Sequence, residues 1–205
     1  MPAAPKPNSI SISDIKSRVL NVAQTSIYTV KLGQPPGLSN FGEFEGVSSN
    51  DISNLELSCA ETSLPGSALA THDVTNDYPG VRERFAYRRI YDETIDFTFY
   101  VDKEYKVVEY LDSWMKLVTG QGDTFSSDEY LDPTRYYRMN YPSSYRSDAL
   151  YITKFEKDTK QSMTYQFIGA FPLNLSAMQV SYEGSDVLRC SVSYAYTRYI
   201  RTRNK

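Results

Sequence analysis

The sequence predicts a mainly β protein with a single helix, on the strength of three observations. Apolar and polar residues alternate over Ile95–Val101 and again over Val187–Tyr199, as strands with one buried face require. The chain contains 18 tyrosines among 205 residues, and tyrosine suits half-buried strands because its ring packs while its hydroxyl stays hydrated. One helical period lies between the two runs, over Lys103–Thr119. We therefore expect a mainly β fold in which one α-helix covers a face of a sheet.

A chain of 205 residues fits one domain with an appended arm. Residues 1–26 begin with a stretch rich in proline, serine and alanine, which predicts an N-terminal arm, and Ser13 is a candidate N-cap for a short helix within it. Residues 27–205 form the predicted β domain. Inside that domain, residues 121–148 carry many tyrosines without a clear period, so this stretch is predicted to be a long loop insertion.

The first strands are predicted from two short apolar runs. Ile27–Leu32 predicts a strand that ends at a segment rich in glycine and proline. Leu55–Cys59 alternates and leads into Leu64, Pro65 and Gly66. A proline that fixes φ before a glycine that accepts positive φ predicts a type II turn there. Ser67–Val81 is predicted to be a long polar connection.

A strand over Phe85–Tyr91 and a second over Ile95–Val101 are expected before the helix. Asp102 is the predicted N-cap of that helix and Gly120 its predicted end. Its predicted apolar stripe, which we expect to face the core, consists of Val107, Val108, Leu111, Trp114, Met115 and Val118.

Four strands are predicted after the insertion. Leu150–Phe155 and Met163–Phe167 are predicted to pair across a polar turn, and Met178–Tyr182 is predicted to follow them. In the last strand, Val187–Tyr199, apolar residues alternate with arginine, serine and threonine. The basic stretch Arg198–Lys205 is predicted to be a solvated tail or a tie to an acidic neighbouring subunit.

Composition and motifs disfavour several functional classes. The formal net charge of -3 argues against a strong electrostatic footprint for nucleic acid, and the sequence shows no apolar run long enough for a membrane span and no signal peptide pattern. Cys59 and Cys190 lie far apart and match no metal spacing, so buried free thiols and production in the cytosol are expected. His72 is the single histidine and belongs to no catalytic motif. We expect no enzyme activity, no cofactor and no metal.

Four arginines lie close to aromatic residues and have two interpretations. They are Arg82, Arg84, Arg88 and Arg89. Such a strand can stack on single-stranded nucleic acid, which would suit a monomeric β-sandwich that binds RNA or a small ligand. It can equally form ion pairs and arginine–tyrosine stacks between protein surfaces. The negative net charge favours the structural interpretation.

A set of short motifs occurs in a fixed order along the chain. They are a strand leading into Ala60–Gly66, an Arg-x-aromatic-Asp step at Arg89–Asp92, a helix with Trp114, a Gly-x-aromatic-Pro turn at Gly169–Pro172, and a final strand reaching Ala195-Tyr196. In this order the sequence resembles the tail tube proteins of contractile-tailed (T4-like) bacteriophages. The resemblance covers about residues 27–199.

The resemblance implies a tail-tube-type β-sandwich or barrel and a structural function in the virion tail. Six copies are expected to close into a ring, with strands continuing from subunit to subunit around a channel. Stacked rings would form the inner tube, which encloses a tape measure protein, joins baseplate ring proteins and conducts DNA without binding it specifically. A tail sheath protein would grip the outside, and assembly would occur in the host cytoplasm. Alternatives of the same fold are a baseplate tube-initiator ring, a tail-terminator ring and a secretion-system tube.

Two sets of site residues follow from the resemblance together with the alternation. The predicted lumen face comprises Thr94, Asp96, Thr98, Arg189, Ser191 and Ser193, and its alternative is the outer surface of a monomeric sandwich. The predicted subunit or ring contacts are Leu64, Pro65, Gly66, His72, Asp77 and Tyr78, because a long polar connection reaches a neighbour without burying strand edges.

Overall fold

The structure is a computed structural model, and it describes residues 12, 16, 22–38, 56, 58–74, 80, 82–119, 139–156, 161–184 and 186–204. In the N-terminal arm Ile12 and Lys16 are helical, and the other residues of the predicted helix up to residue 21 lie outside the described residues, as does the predicted helix end at Gly120. So does most of the predicted insertion, of which residues 139–148 are described.

Ten strands and two helices make up the described fold. The strands are β1 (Tyr28–Lys31), β2 (Cys59–Thr62), β3 (Ser67–Val74), β4 (Glu83–Tyr91), β5 (Thr94–Tyr100), β6 (Leu150–Phe155), β7 (Ser162–Ile168), β8 (Phe171–Leu175), β9 (Arg189–Ala195) and β10 (Arg198–Asn204). The helices are α1 (Lys106–Thr119) and the single turn α2 (Pro142–Tyr145).

The strands form two four-stranded sheets and one separate hairpin. Sheet A has the order β1-β6-β7-β10, and sheet B has the order β2-β5-β9-β8. Every described pairing is antiparallel. The β3–β4 hairpin pairs with neither sheet. Residues Tyr196 and Thr197 carry the chain directly from β9 in sheet B to β10 in sheet A, so the two sheets are joined by a short crossing.

The core lies between the two sheets, which confirms the predicted sandwich class, although the strands do not close into a barrel. Sheet B contributes the predicted apolar residues Ile95, Phe97 and Phe99, all buried. The ring of Phe97 meets that of Tyr194 edge-on at 5.5 Å. Alternation predicted this burial because successive side chains of a strand point to opposite faces.

Helix α1 begins at Lys106, three residues after its predicted start. Asp102 is not the N-cap residue, because the helix begins four residues after it, but its Oδ1 accepts a hydrogen bond of 3.0 Å from the backbone N–H of Lys106 and so supports the first turn. Trp114 is fully buried; its Nε1 donates to the backbone oxygen of Tyr145 at 2.8 Å, and its ring lies 5.6 Å from that of Tyr194. The helix therefore packs against sheet B and α2.

The buried face of α1 differs in part from the predicted stripe. The buried residues are Val107, Tyr110, Leu111, Ser113, Trp114 and Leu117, whereas Val108, Met115 and Val118 are only half-buried. The predicted stripe is rotated around the helix axis relative to the buried face, because it included Val108 and Met115 and left out Tyr110. An aromatic residue with a polar tip is ambiguous in such a pattern.

The region Ser67–Val81, predicted to be a loop, instead contains strand β3. Residues Ser67–Val74 pair with β4 along its whole length, from Ser67 opposite Tyr91 to Val74 opposite Glu83. Residues Ser67–Val74 show no alternation of apolar and polar residues, because neither face of this hairpin is covered and such alternation reports burial rather than strand conformation.

The turn predicted before β3 is also different. Gly66 does not adopt positive φ; among the described glycines only Gly169 does, at +68°. The backbone N–H of Gly66 instead donates to Oδ2 of Asp92 at 2.7 Å. This carboxylate holds the segment in place, so a type II turn is not required.

Three further strand predictions need correction. The alternation over Leu55–Cys59 yields a strand only from Cys59 onward, and Leu55 and Leu57 lie outside the described residues. Met178–Tyr182 is not a strand, because β8 already occupies the place beside β9. Most of the predicted basic tail is strand β10, paired with β7 throughout. Exposed arginines are compatible with an edge strand, so their presence misled the prediction.

Candidate assembly surfaces

The structure brings the six predicted lumen residues together on one face of sheet B. Strands β5 and β9 place Asp96 opposite Ser193 and Thr98 opposite Ser191. Ser193 Oγ donates to Asp96 Oδ1, and the hydroxyls of Thr98 and Ser191 are 3.1 Å apart. Thr94 and Arg189 lie at the two ends of the same pair and are exposed. We call this surface the polar ladder.

Two residues that the prediction missed extend the polar ladder across the sheet. Glu61 of β2 lies opposite Thr98, and Asn174 of β8 lies opposite Ser193. Both belong to strands too short for a period to be recognised, so only the pairing reveals them. The face carries carboxylates on Glu61 and Asp96, and its cation, Arg189, lies over the ring of Tyr100 at 5.5 Å.

The β3–β4 hairpin presents exposed apolar side chains on both of its faces. Leu69 is 63% exposed, Phe85 55% and Tyr87 69%. Leu69 lies on one face, opposite Arg89, while Ile90 lies on the other, opposite Ala68. A shift in register between Ala70 and Thr71 leaves Tyr87 without a partner on β3, as in a β-bulge. The sequence predicted strand β4 but not this surface, because no strand was predicted to pair with β4.

Arg89 fixes the base of the hairpin to sheet A. Its guanidinium lies over the rings of Tyr91 and Tyr199, at 5.0 and 5.5 Å. Its Nη2 donates to Ser67 Oγ at 2.9 Å and to Tyr199 Oη at 3.1 Å. Tyr199 lies on β10, and its ring also contacts that of Tyr165 on β7. The planar guanidinium combines stacking with directed hydrogen bonds in a way that an ammonium does not.

Farther along the hairpin, Asp73 holds two of the remaining arginines. Arg84 Nε donates to Asp73 Oδ1 at 2.7 Å, and Arg82 Nη2 contacts Asp73 Oδ2. The hydrogen bonds from Arg84 and Arg82 lower the pKa of the Asp73 carboxyl from its ordinary value. Arg82, Arg84 and Arg89 thus form their ion pairs and arginine–tyrosine stacks within one chain, whereas the structural interpretation expected them between protein surfaces.

The four predicted contact residues that the structure describes lie in the segment before the hairpin or on strand β3. Leu64 is 48% exposed, and Pro65 and Gly66 follow it in the segment between β2 and β3. His72 is exposed on β3, opposite Phe85, and so is not in a loop. Asp77 and Tyr78 lie outside the described residues.

The cysteines are free, and only one is fully buried. Cys190 has no exposed surface. Cys59, at the start of β2, is half-buried, so the expected burial is correct for one of the two. Burial raises the pKa of the Cys59 thiol to about 11. The hydroxyl of Tyr28 donates to the backbone oxygen of Cys59 at 3.2 Å and joins sheet A to sheet B; burial raises the pKa of Tyr28 to about 12.

Among the residues that the structure describes, no three histidine, cysteine or acidic side chains are grouped as a metal site. In the same part of the chain, no helix has the length and apolar character needed to cross a membrane.

The structure thus defines a β-protein with two distinctive surfaces, the exposed β3–β4 hairpin and the polar ladder. The chain belongs to the phage tail tube protein family, whose pattern matches residues 23–202. It is therefore a structural component of a tail tube and not an enzyme. Comparison with the curated protein sequences gives no significant match.

Solved structures share the fold at low sequence identity. The tube-terminating cap of the anti-feeding prophage has a TM-score of 0.53 and 9% identity, with 100% of both chains covered. The sheath–tube complex of the extracellular contractile injection system PVC, in its extended state, has a TM-score of 0.50 and 12% identity, covering 95% of this chain and 99% of that one. The sheath/tube terminator of the same system has the same score and identity, covering 88% and 96%.

Proposed function

We propose that six copies of this chain close into a ring and that stacked rings form the inner tube of a contractile tail. The observation that carries the proposal is the β3–β4 hairpin. A two-stranded ribbon is at best marginally stable alone in water, and this one exposes Leu69, Phe85 and Tyr87. A neighbouring subunit that covers the ribbon would remove this apolar surface from water. The hairpin thus replaces the predicted loop as the contact between subunits or rings.

The polar ladder is the proposed lumen face. It lies on the side of sheet B that faces away from the core. The hydroxyls of Thr98 and Ser191 bond to each other, and the hydroxyl of Ser193 donates to the Asp96 carboxylate. Phosphate contacts from lysine and arginine supply most non-specific affinity for DNA. Glu61 and Asp96 would repel phosphates, so DNA would pass without being held.

The short edge strands of sheet B suit a ring. Strands β2 and β8, at the two edges, have four and five residues and no second neighbour within the described sheets. Pairing between β2 of one copy and β8 of the next would continue the sheet around the channel and would leave no open edge.

The remaining partners follow from the proposed tube. A tail sheath protein would surround it, as in the sheath–tube complex of the similar contractile injection system. The exposed side of α1, where Asp112 pairs with Lys116 at 3.3 Å, is the proposed surface beneath the sheath. The tube would enclose a tape measure protein, join baseplate rings and be assembled in the host cytoplasm.

A tube-terminating or tube-initiating ring is the second candidate. It is favoured by the cap of the anti-feeding prophage, whose alignment covers both chains completely. Negative-stain electron microscopy of the purified chain over a range of concentrations separates the two. Long hollow tubes are expected for the tube subunit. Single rings that never lengthen would assign it to the terminator or initiator, and monomers at every concentration would contradict both.

The lumen assignment has its own test in the paired substitution Asp96→Lys and Thr98→Lys. Both side chains lie on the polar ladder, so we expect the variant to fold and assemble while its added cations retard the passage of DNA. The measurement is the rate of DNA release from particles that carry the variant. The matched control places two lysines at Met139 and Tyr141, which are 73% and 83% exposed and lie on none of the proposed surfaces. Unchanged release from the Asp96 and Thr98 variant would contradict the assignment.

A further inference from the structure

An apolar cavity opens at one end of sheet A, apart from the polar ladder and from the exposed residues of the β3–β4 hairpin. Its volume is about 540 Å³, within the range of roughly 300–1,000 Å³ typical of ligand pockets. Tyr28, Leu64 and Met163 supply apolar surface to its walls. The cavity lies where β1 begins and β7 begins, next to the segment that leads into the hairpin. Leu64, one of the predicted contact residues, is therefore part of a concave apolar site.

The rim of this cavity carries two cations. Lys154 is paired with Glu156 at 3.2 Å. Arg203, on β10, donates to the side-chain oxygen of Gln161 at 2.6 Å and has no carboxylate partner among the described residues. An exposed guanidinium beside an apolar cavity suits an occupant with an apolar side chain next to a carboxylate.

The segment between β8 and β9 has that character. Tyr182 is fully exposed and Val180 is 86% exposed. Glu183 follows Tyr182 directly, and its backbone N–H donates to Ser181 Oγ at 3.1 Å, which fixes a tight turn beneath the tyrosine. Within the described residues, the carboxylates of Glu183 and Asp186 have no ion-pair partner. The segment therefore presents an uncovered aromatic ring flanked by acidic groups.

We propose that this segment of one copy docks into the cavity of the next copy. The ring of Tyr182 fills the apolar space between Tyr28, Leu64 and Met163, and Glu183 pairs with Arg203 of the copy that it enters. Apolar fit and opposite charge at the rim together select this occupant, since aromatic anchors seated in pockets dominate protein interfaces.

The proposed contact is heterologous, because the segment and the cavity are different surfaces of the same chain. Such contacts repeat around a closed ring or along an open stack rather than ending at a dimer. The inference thus rests on the proposed function and deepens it, by assigning one contact between copies to named residues.

Cross-linking tests the contact directly. Leu64→Cys and Tyr182→Cys are combined in one chain, assembled at a protein concentration well above the raised critical concentration that loss of the Tyr182 ring is expected to cause, and treated with a short bismaleimide. A ladder of covalent multimers is expected on denaturing gels, whereas a mixture of the two single variants is expected to stop at two linked chains. Pairing Leu64→Cys with Tyr141→Cys is the matched control, because Tyr141 is 83% exposed and lies outside the proposed contact. The wild-type chain controls for Cys59 and Cys190.

The energetic test uses Tyr182→Ser and Tyr182→Phe. Because Tyr182 is fully exposed, neither change should affect folding, which circular dichroism checks. Serine is expected to raise the critical concentration for assembly at least about tenfold, while phenylalanine should leave it within about twofold. Tyr141→Ser should also leave it unchanged. If the wild-type chain forms tubes while the double-cysteine chain gives no ladder and Tyr182→Ser assembles normally, the docking inference is overturned and the proposed function stays intact.

A charge exchange tests the rim. Arg203→Glu alone is expected to weaken assembly about tenfold, and adding Glu183→Arg should restore it, because the pair is reversed rather than removed. Failure of the exchange to restore assembly would contradict the pairing of Glu183 with Arg203. A wild-type chain that remains monomeric would overturn this inference together with the proposed function.

Discussion

The β5–β9 pair and the β3–β4 hairpin are both long antiparallel pairs, yet their surroundings are opposite. In β5–β9, Phe97 and Val192 are buried against the core while Asp96 and Ser193 face outward. In the hairpin, almost every residue of β4 is exposed. One pair thus receives its buried face from its own chain, and the other has none. The difference indicates that a regular strand pair without a buried face of its own is a surface on which another molecule is expected to pack.

The two pairs also differ in what holds them in place. The core pair is fixed by apolar packing, including the edge-on contact between Phe97 and Tyr194. The hairpin is fixed at its base by Arg89, between Tyr91 and Tyr199. A mostly polar anchor with an exposed apolar ribbon suits a segment that is oriented before assembly and covered afterwards.

The largest expected effect is on folding, from truncating matched phenylalanines in the two pairs. Phe97→Ala should lower the free energy of unfolding by about 3–5 kcal/mol, because it leaves a cavity in the core. Phe85→Ala should change it by less than about 0.5 kcal/mol, because Phe85 is 55% exposed. Urea unfolding at low protein concentration measures both. Equal losses would mean that the hairpin is packed against its own chain.

The next effect is on assembly, where we expect the β3–β4 hairpin to matter more than the β5–β9 pair. Replacing Phe85 and Tyr87 by serine should raise the critical concentration at least about 30-fold, since buried aromatic anchors each contribute about 2 kcal/mol or more at interfaces. Sedimentation over a concentration series measures it. Met139→Ser is the control, because Met139 is 73% exposed and lies away from the hairpin. Normal assembly of the double variant would contradict a covered hairpin.

A smaller effect is expected at the anchor of the hairpin. Arg89→Lys should lower the free energy of opening the hairpin by about 1 kcal/mol. Lysine keeps the charge but loses the stacking on the tyrosine rings and the two hydrogen bonds of the planar guanidinium. Faster amide hydrogen exchange confined to β3 and β4 would report the loosened base. Arg88→Lys is the matched control, since Arg88 lies on the other face of the same strand. Identical exchange in both variants would show that Arg89 does not position the hairpin.

The smallest effect concerns alkaline pH at the junction of the two sheets. The pKa of Cys59 is about 11 in the fold against an ordinary value of 9.0, and that of Tyr28 is about 12 against 10.0. Both groups are neutral when protonated, so their contribution is complete below pH 9 and is lost as pH rises towards 12. The urea midpoint should therefore fall over this window.

Tyr28→Phe isolates the tyrosine contribution to this pH dependence. The variant should lose the part of the decline between pH 10 and 12 and keep the part that begins at pH 9 from Cys59. A urea midpoint that declines identically with pH in wild type and variant would show that ionisation of Tyr28 does not destabilise the junction of the two sheets.

The polar ladder and the sandwich were predictable because burial leaves a periodic trace in the sequence. Ile95, Phe97 and Phe99 alternate with Thr94, Asp96 and Thr98. Because successive side chains of a strand point to opposite faces, this alternation predicted both the buried face and the polar face of β5. The pairing of β5 with β9 brought Ser191 and Ser193 to the same face without any change to the prediction.

The hairpin, strand β10 and the apolar cavity were not predictable by the same means. Ser67–Val74 has no buried face, so it leaves no period. Strand β10 carries three arginines, Arg198, Arg201 and Arg203, and reads as a tail because an edge strand tolerates charge. The cavity gathers Tyr28, Leu64 and Met163 from separate parts of the chain, which only tertiary packing brings together.

The position of β9 in sheet B has a consequence for synthesis on the ribosome. This strand lies between β5 and β8, and its Ser193 bonds to Asp96, 97 residues earlier. Strand β5 must therefore wait, without its central partner, until almost the whole domain has been translated. Such distant pairings form slowly, so a nascent chain lacks the finished sheet edges that neighbouring subunits would join. Polysomes would then carry incomplete subunits side by side without starting a tube between them.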